Sequence, residues 1–407
     1  MFKDNYDMQL SCSSAVAGAA YVAGVDQSLR LDHSGIAELK DALAQDPEFA
    51  LAHAALARQY QIHGFSTEVA GHLEQAVALK PTATHREQSA IDIIVAAAIF
   101  EDGALSKAQD HIERFPRDVL VLAHVVGPFG LLAFSGDPAW REQNVVLLEA
   151  LERSFPADDW WYLSSRSFMA SEVGDLAAAR KFAEHAWRLS ENGNCAHSLT
   201  HLYFEENAVD EGMSFINKWA ASSGTKSDMR HHLIWHLALL LRETETPTSE
   251  LMTLYERELD PRISDPMPLS TFSDNAALLW RCKLSGLDVP NSVAQDLINY
   301  ANKHYPRLGF SFVDIHRVMS VGILNDESQQ DALIDELGQM ATSNGTPLAN
   351  AMLAYAEGFR AFANQDFAIA VERLEPTVID SVLLGGSNPQ RRVIEETYQA
   401  ALTAVNQ

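Results

Sequence analysis

Apolar residues recur at intervals of three and four along almost the whole chain, and runs of strict alternation are scarce. That period belongs to helices whose one face is buried, not to half-buried strands. Ala-rich amphipathic stretches stand at 36–44, 50–61, 69–79, 176–189, 348–362 and 367–374. The breaks between helical stretches are short and carry Gly, Pro, Asp or Asn, as in Asp46-Pro47, Lys80-Pro81, Gly174-Asp175 and Asn364-Gln365-Asp366. Such residues end one helix and turn the chain into the next. Helix, short turn, helix, at a period of 34 residues or more, predicts stacked hairpins.

The segment 50–82 fits a tetratricopeptide repeat. With Ala50 as the first position, Leu56 and Ala57 form the first packing pair and Tyr60 takes the aromatic place on the first helix. Gly64 falls at the turn, Leu73 and Ala76 on the second helix, and Pro81 closes the unit. Small residues sit where two helices must approach closely and large ones fill the grooves beside them. A second match begins near Ala351, with Gly358, Phe367, Ala370 and Leu374, and a weaker one between Trp161 and Ala186 keeps Gly174 and Ala179. The expected fold is all-α, a tetratricopeptide-like helical-hairpin solenoid wound as a right-handed superhelix. It is read as one continuous domain over 1–407: an N-terminal cap to about residue 34, stacked helix pairs over 35–376, and a C-terminal capping helix over 377–407.

Composition narrows the partners. With 55 acidic against 30 basic residues the formal charge is −25, and a surface so acidic repels phosphate backbones and anionic lipid. Nucleic acid and membranes are therefore not expected partners. Cys12, Cys195 and Cys282 share no close spacing, so neither a disulfide framework nor a CxxC site is expected. The N-terminal segment lacks the basic-then-apolar pattern of a secretory signal, and a cytoplasmic protein is expected. No P-loop, GxGxxG, HExxH or GxSxG motif occurs, which sets aside the enzyme classes those motifs serve.

The candidate chemistry lies in two histidine pairs, His197 with His201 and His232 with His236. Together with His231 they put five of the fifteen histidines within forty residues. Residues i and i+4 of a helix share a face, so each pair can aim two imidazoles at one point. Placing Gly212 at the small position of a repeat's second helix puts His197 and His201 at first-helix positions that face the concave groove, and the second pair fits the same positions one hairpin later. Four imidazoles gathered there would suit a zinc-like divalent metal or a polar ligand. Histidines in helix seams also serve simply as core residues that donate to a carbonyl, and that alternative stands beside the first.

Other residues join as candidates. In Asp314-Ile315-His316 the acid and the histidine point in different directions, so either His316 enters the cavity while Asp314 caps the helix, or the reverse. Asp274 reads as an N-cap before a helix at 276–284 or as a ligand contact. Trp235 is a candidate pocket wall, and Glu172 either supports a histidine or is a solvated surface acid. His124 reads as structural. In Gly385-Gly386-Ser387-Asn388-Pro389-Gln390-Arg391-Arg392 a glycine-led helix start with two arginines suits an anion, with Arg391 as the contact, or is an ordinary capped loop.

An ordered set of segments carries a family likeness: 47–53, Arg86-Glu87, Phe134-Ser135-Gly136, Ala196-His197 through His201, His232 through Ala238, 278–281 with Gly286, 314–316, and Gly385-Gly386-Ser387 with Gln390-Arg391. In this order the chain resembles tetratricopeptide repeat protein 38 and its bacterial relatives. That family's pattern around the second pair is His-Asn-Trp-Trp-His, where this chain has His232-Leu233-Ile234-Trp235-His236. Its glycine motif continues His-Ala-Gln-Arg-Asp, against Asn388-Pro389-Gln390-Arg391-Arg392 here, so one histidine and one acid are missing. The resemblance implies a helical-repeat fold and no particular substrate.

Two functions follow as expectations. The first is a His-rich concave pocket for a small molecule or metal, with His232, His236 and His316 as acid–base or metal-supported catalytic groups of hydrolase or lyase type. His197, His201, Trp235, Asp274, Asp314 and Arg391 would be its ligand contacts. The second is a scaffold that binds a peptide in its groove.

Overall fold

The computed structural model of the chain describes residues 2–264 and 266–407, the Thr248 side chain excepted. The fold is all-α and built from helical hairpins, as the periodicity predicts. Among the described residues, extended pairing is confined to a short antiparallel pair of Phe2–Lys3 with Gln9–Leu10 near the N-terminus and an isolated bridge of Asp32 with Ser227. No helix among the described residues is long and apolar enough to cross a membrane.

By internal contacts the chain divides into two compact units, Met1–Ser135 with Ala139–Leu233, and Gly136–Pro138 with Ile234–Gln407. In the first, hairpins form from Ala15–Arg30 with Gly35–Gln45, Ala50–Ile62 with Ser66–Leu79, Trp160–Glu172 with Leu176–Leu189, and Gly193–Glu205 with Val209–Ala220. Leading helices lie on earlier hairpins: Ala50–Ile62 packs on Gly35–Gln45, and Gly193–Glu205 on both Trp160–Glu172 and Leu176–Leu189. The second unit repeats the device, with Ser311–Leu324 against Pro268–Leu284 and Asn291–His304, and Pro347–Ala363 against Ser311–Leu324 and Glu327–Asn344. Asn388–Val405 follows the hairpin of Pro347–Ala363 with Phe367–Leu374.

The residues read as repeat positions explain the closeness of the helices. Ala57, Ala76, Ala179 and Ala186 are buried where helices cross. Gly64 and Gly174 turn with φ of 76° and 82°, a conformation that costs glycine little. Gly358 cannot carry a side chain, because a Cβ there would stand 2.6 Å from Leu374 Cγ. Helix starts are set by ordinary caps, among them the reciprocal Thr84–Glu87 box and Asp175 accepting from the Ala178 N–H. In the second unit Trp280 is fully buried, and its indole N–H donates to Thr397 Oγ1 at 2.9 Å.

Candidate functional site

The first histidine pair takes its place from a cap and a contact. Asn192 accepts the Cys195 N–H at 3.0 Å and so fixes the start of Gly193–Glu205. From that start His197 and His201 fall one turn apart on the face toward Trp160–Glu172. Phe168 of that helix lies 5.2 Å from the His197 ring and 4.6 Å from the His201 ring, centre to centre. The two Nε2 atoms are 2.9 Å apart, one donating to the other.

The second pair is on Arg230–Arg242. Its approach is anchored in the first unit. Ser227 Oγ donates to the Leu31 carbonyl, and the Asp228 N–H donates to the same carbonyl. Gly193 makes that approach sterically feasible: a Cβ there would lie 2.2 Å from Ser227 Oγ and 3.0 Å from the Arg30 carbonyl oxygen. The starts of the two histidine-bearing helices are thereby held together. His232 then comes to 5.0 Å from the His197 ring and 6.1 Å from that of His201, stacked on the latter. His236 is one turn further along the same unbroken helix as His232. Each of the four offers one ring nitrogen, and all four nitrogens lie within 4.8 Å of one another.

The electrostatics suit a metal. Burial and the neighbouring His232 ring push the His197 imidazole well below the usual histidine range, so it is neutral at pH 7. Metal binding to a neutral imidazole has no proton to displace there. Zinc–nitrogen bonds of about 2.0–2.1 Å place tetrahedral ligand atoms roughly 3.3 Å apart. The His197–His201 pair is already near that separation, and the widest pairs, at up to 4.8 Å, need to close by up to about 1.5 Å. His197 is the least buried of the four.

The other predicted residues fall elsewhere or take other roles. Trp235 is fully buried, its ring centre 4.9 Å from that of His236. The expectation of Asp274 as an N-cap is corrected: Pro268, at the first helical position, starts the helix well upstream, so Asp274 is fully buried inside Pro268–Leu284. There it accepts from Gln390 Nε2 at 3.3 Å. Asp314 lies inside the first turn of Ser311–Leu324, whose N-cap is Phe310; it accepts the Gly309 N–H at 2.8 Å, and burial raises its pKa to about 6. His316 is buried in the second unit, with Nδ1 at 2.6 Å from the Phe312 carbonyl and a pKa lowered by burial to about 4. It is not among the four grouped histidines. Arg391 donates to the Gly385 and Gly386 carbonyls and to Asn388 Oδ1, so its guanidinium fastens the glycine turn. Arg392 is exposed. Glu172 is buried, against the expectation of a solvated acid. His124 bonds the Leu120 carbonyl at 2.7 Å, as a structural histidine does.

Sequence spacing did not reveal a carboxylate shared by two further histidines. Asp228 meets His33 Nδ1 at 2.5 Å and His63 Nε2 at 3.3 Å, although 195 and 165 residues separate it from them. Burial opposes a charge on His63, but the Asp228 carboxylate and the Gln59 carbonyl outweigh it and raise its pKa. A raised histidine pKa stabilises the fold fully below the ordinary value of about 6.5 and loses that contribution as pH climbs through the folded value. The gap in melting temperature between wild type and Asp228→Asn is therefore expected to be widest at acid pH and to narrow as pH rises above neutrality. A pH-independent gap would contradict this linkage.

No family model matches the chain. Among solved structures it is similar to the crystal structure of the tetratricopeptide repeat (TPR) domain of P58(IPK). Identity is 15%, over 97% of this chain and 99% of that one, with a TM-score of 0.22.

Proposed function

We propose that this helical-repeat protein holds a borderline divalent cation, zinc or a close relative, on His197, His201, His232 and His236. The observation that carries the reading is the gathering of four imidazole nitrogens within 4.8 Å of one another. An all-imidazole set suits zinc, cobalt, nickel and copper, whereas magnesium and calcium demand oxygen ligands. Four protein ligands saturate a tetrahedral ion, the arrangement of structural and sequestering sites. Hydrolase or lyase chemistry would need an open coordination position for water, and His197, at the rim, is the ligand that could yield one.

The tetratricopeptide-like hairpins support a second reading, a scaffold that binds a peptide. The burial of His201, His232 and His236 favours the metal, since a peptide laid in a groove meets exposed side chains.

Elemental analysis of protein purified without a histidine tag tests the reading. Near-stoichiometric zinc is expected, as is a cobalt-substituted form with the intense visible bands of tetrahedral coordination. Metal-free protein that also fails to bind zinc or cobalt in titration would overturn it.

A further inference from the structure

A second hydrogen-bonded constellation stands in the first unit, away from the grouped histidines in sequence and assembled from three helical segments. Ser89 is on His85–Ala98, His111 on Ala104–Arg114, and Asp118 directly precedes Val119–Val125. His111 Nδ1 lies 2.9 Å from Ser89 Oγ, and His111 Nε2 lies 3.1 Å from Asp118 Oδ2. His111 and Asp118 are fully buried, while Ser89 is only half-buried.

The direction of each bond follows from Asp118. Burial disfavours its charge, but bonds from His111 and Arg86 outweigh burial and hold its pKa below the usual carboxylate value. An ionised carboxylate only accepts, so His111 Nε2 carries the hydrogen. In the neutral imidazole Nδ1 is then the lone-pair nitrogen, and the Ser89 hydroxyl donates to it. This is the order of roles in an activated serine: hydroxyl to imidazole, imidazole to buried carboxylate. The two ring nitrogens are exchanged relative to the usual serine–histidine–aspartate arrangement.

The elements are held rigidly. The Thr84–Glu87 capping box fixes the register of Ser89. Arg86 clamps Asp118 at 3.0 Å and also donates to the Gln9 carbonyl at 2.8 Å. Arg86 and His111 thus share one oxygen of the Asp118 carboxylate.

We propose that Ser89 is a primed nucleophile, with His111 as its general base and Asp118 as the positioning residue, reactive toward activated carboxylic esters. In the acylation step the hydroxyl proton passes to His111 Nδ1 as the Ser89 Oγ–acyl carbon bond forms. The ester C–O bond then breaks, and His111 returns the proton to the departing alkoxide. Water, deprotonated by the same nitrogen, attacks the acyl-serine and releases the acid and the free hydroxyl.

The test uses the full chain with a fluorophosphonate, which reports the same nucleophilicity by forming a stable Ser89 phosphonate with loss of fluoride. Peptide mass spectrometry is expected to find Ser89 labelled roughly a hundredfold faster in folded protein than in urea-unfolded protein, on the scale of general-base assistance. Ser89→Ala should remove that label while the variant still folds, as its circular dichroism checks. Folded Asp118→Asn, which favours the other imidazole tautomer, should slow labelling at least about tenfold. Ser89 labelled no faster in folded than in unfolded protein overturns the proposal, and this comparison needs no variant. An unchanged rate in folded Asp118→Asn overturns the relay.

Discussion

Replacing His232 with alanine is expected to weaken zinc binding by about a hundredfold to a thousandfold. Structural zinc sites of four ligands are worth roughly 10–16 kcal/mol at pH 7, so one ligand carries about a quarter of that. His232 is the informative choice because its ring lies against both His197 and His201. Competition titration with a chromophoric chelator measures the loss directly. Thermal unfolding gives an independent reading, since zinc at a thousandfold over its dissociation constant should stabilise wild type by about 4 kcal/mol. The same zinc should leave His232→Ala nearly unmoved. Affinity should also fall at acid pH as protons compete for the imidazoles, and for His197 that competition sets in only well below the usual histidine range. Equal zinc affinity in variant and wild type would remove His232 from the site.

Glu396→Ala is expected to destabilise the second unit by about 3–5 kcal/mol, the usual cost of leaving a buried charge without its partner. Arg281 is 1% exposed and bonds both carboxylate oxygens of Glu396 at 3.0–3.1 Å. Arg242 reaches the same carboxylate at 3.1 Å. Burial lowers the pKa of Arg281 while Glu396 opposes that shift, and the two arginines hold Glu396 below the usual glutamate range despite its own burial. Alanine would leave Arg281 buried with the Pro389 carbonyl as its remaining named partner. Chemical unfolding of Glu396→Ala and Arg281→Met/Glu396→Leu decides the point. The double variant should recover most of the loss, because well-packed apolar residues replace a buried ion pair at little or no cost. A single variant as stable as wild type would mean that water already screens the pair.

Much of the fold was legible in the residues. The helical period, the breaks at Asp46-Pro47 and Gly174-Asp175, and the small residues Ala57, Ala76 and Gly358 all report local events: where a helix ends and where two helices touch. Local events leave local marks. The histidine pairs were legible for the same reason, because one turn of helix aligns i with i+4. The start of the helix carrying Asp274 was misread, since Ser273-Asp274-Asn275 looks like a cap until Pro268 is seen to begin the helix. Capping residues inside helices are tolerated where burial and a partner such as Gln390 satisfy them.

Asp228 with His33 and His63, and Ser89 with His111 and Asp118, left no such mark. Their members lie on different elements, so no helical period relates them, and only the packing of hairpins brings them within bonding distance. The sequence by itself determined that the chain is all-α, where its hairpins turn, and that each histidine pair shares a face. Tertiary structure alone decided that His232 meets His197 and His201, that Asp228 serves two distant histidines, and that His111 stands between a serine and a buried acid. Helix and turn propensities act over a few residues, whereas a site depends on which faces are pressed together. Steric details such as the bare Gly193 beside Ser227 settle that question.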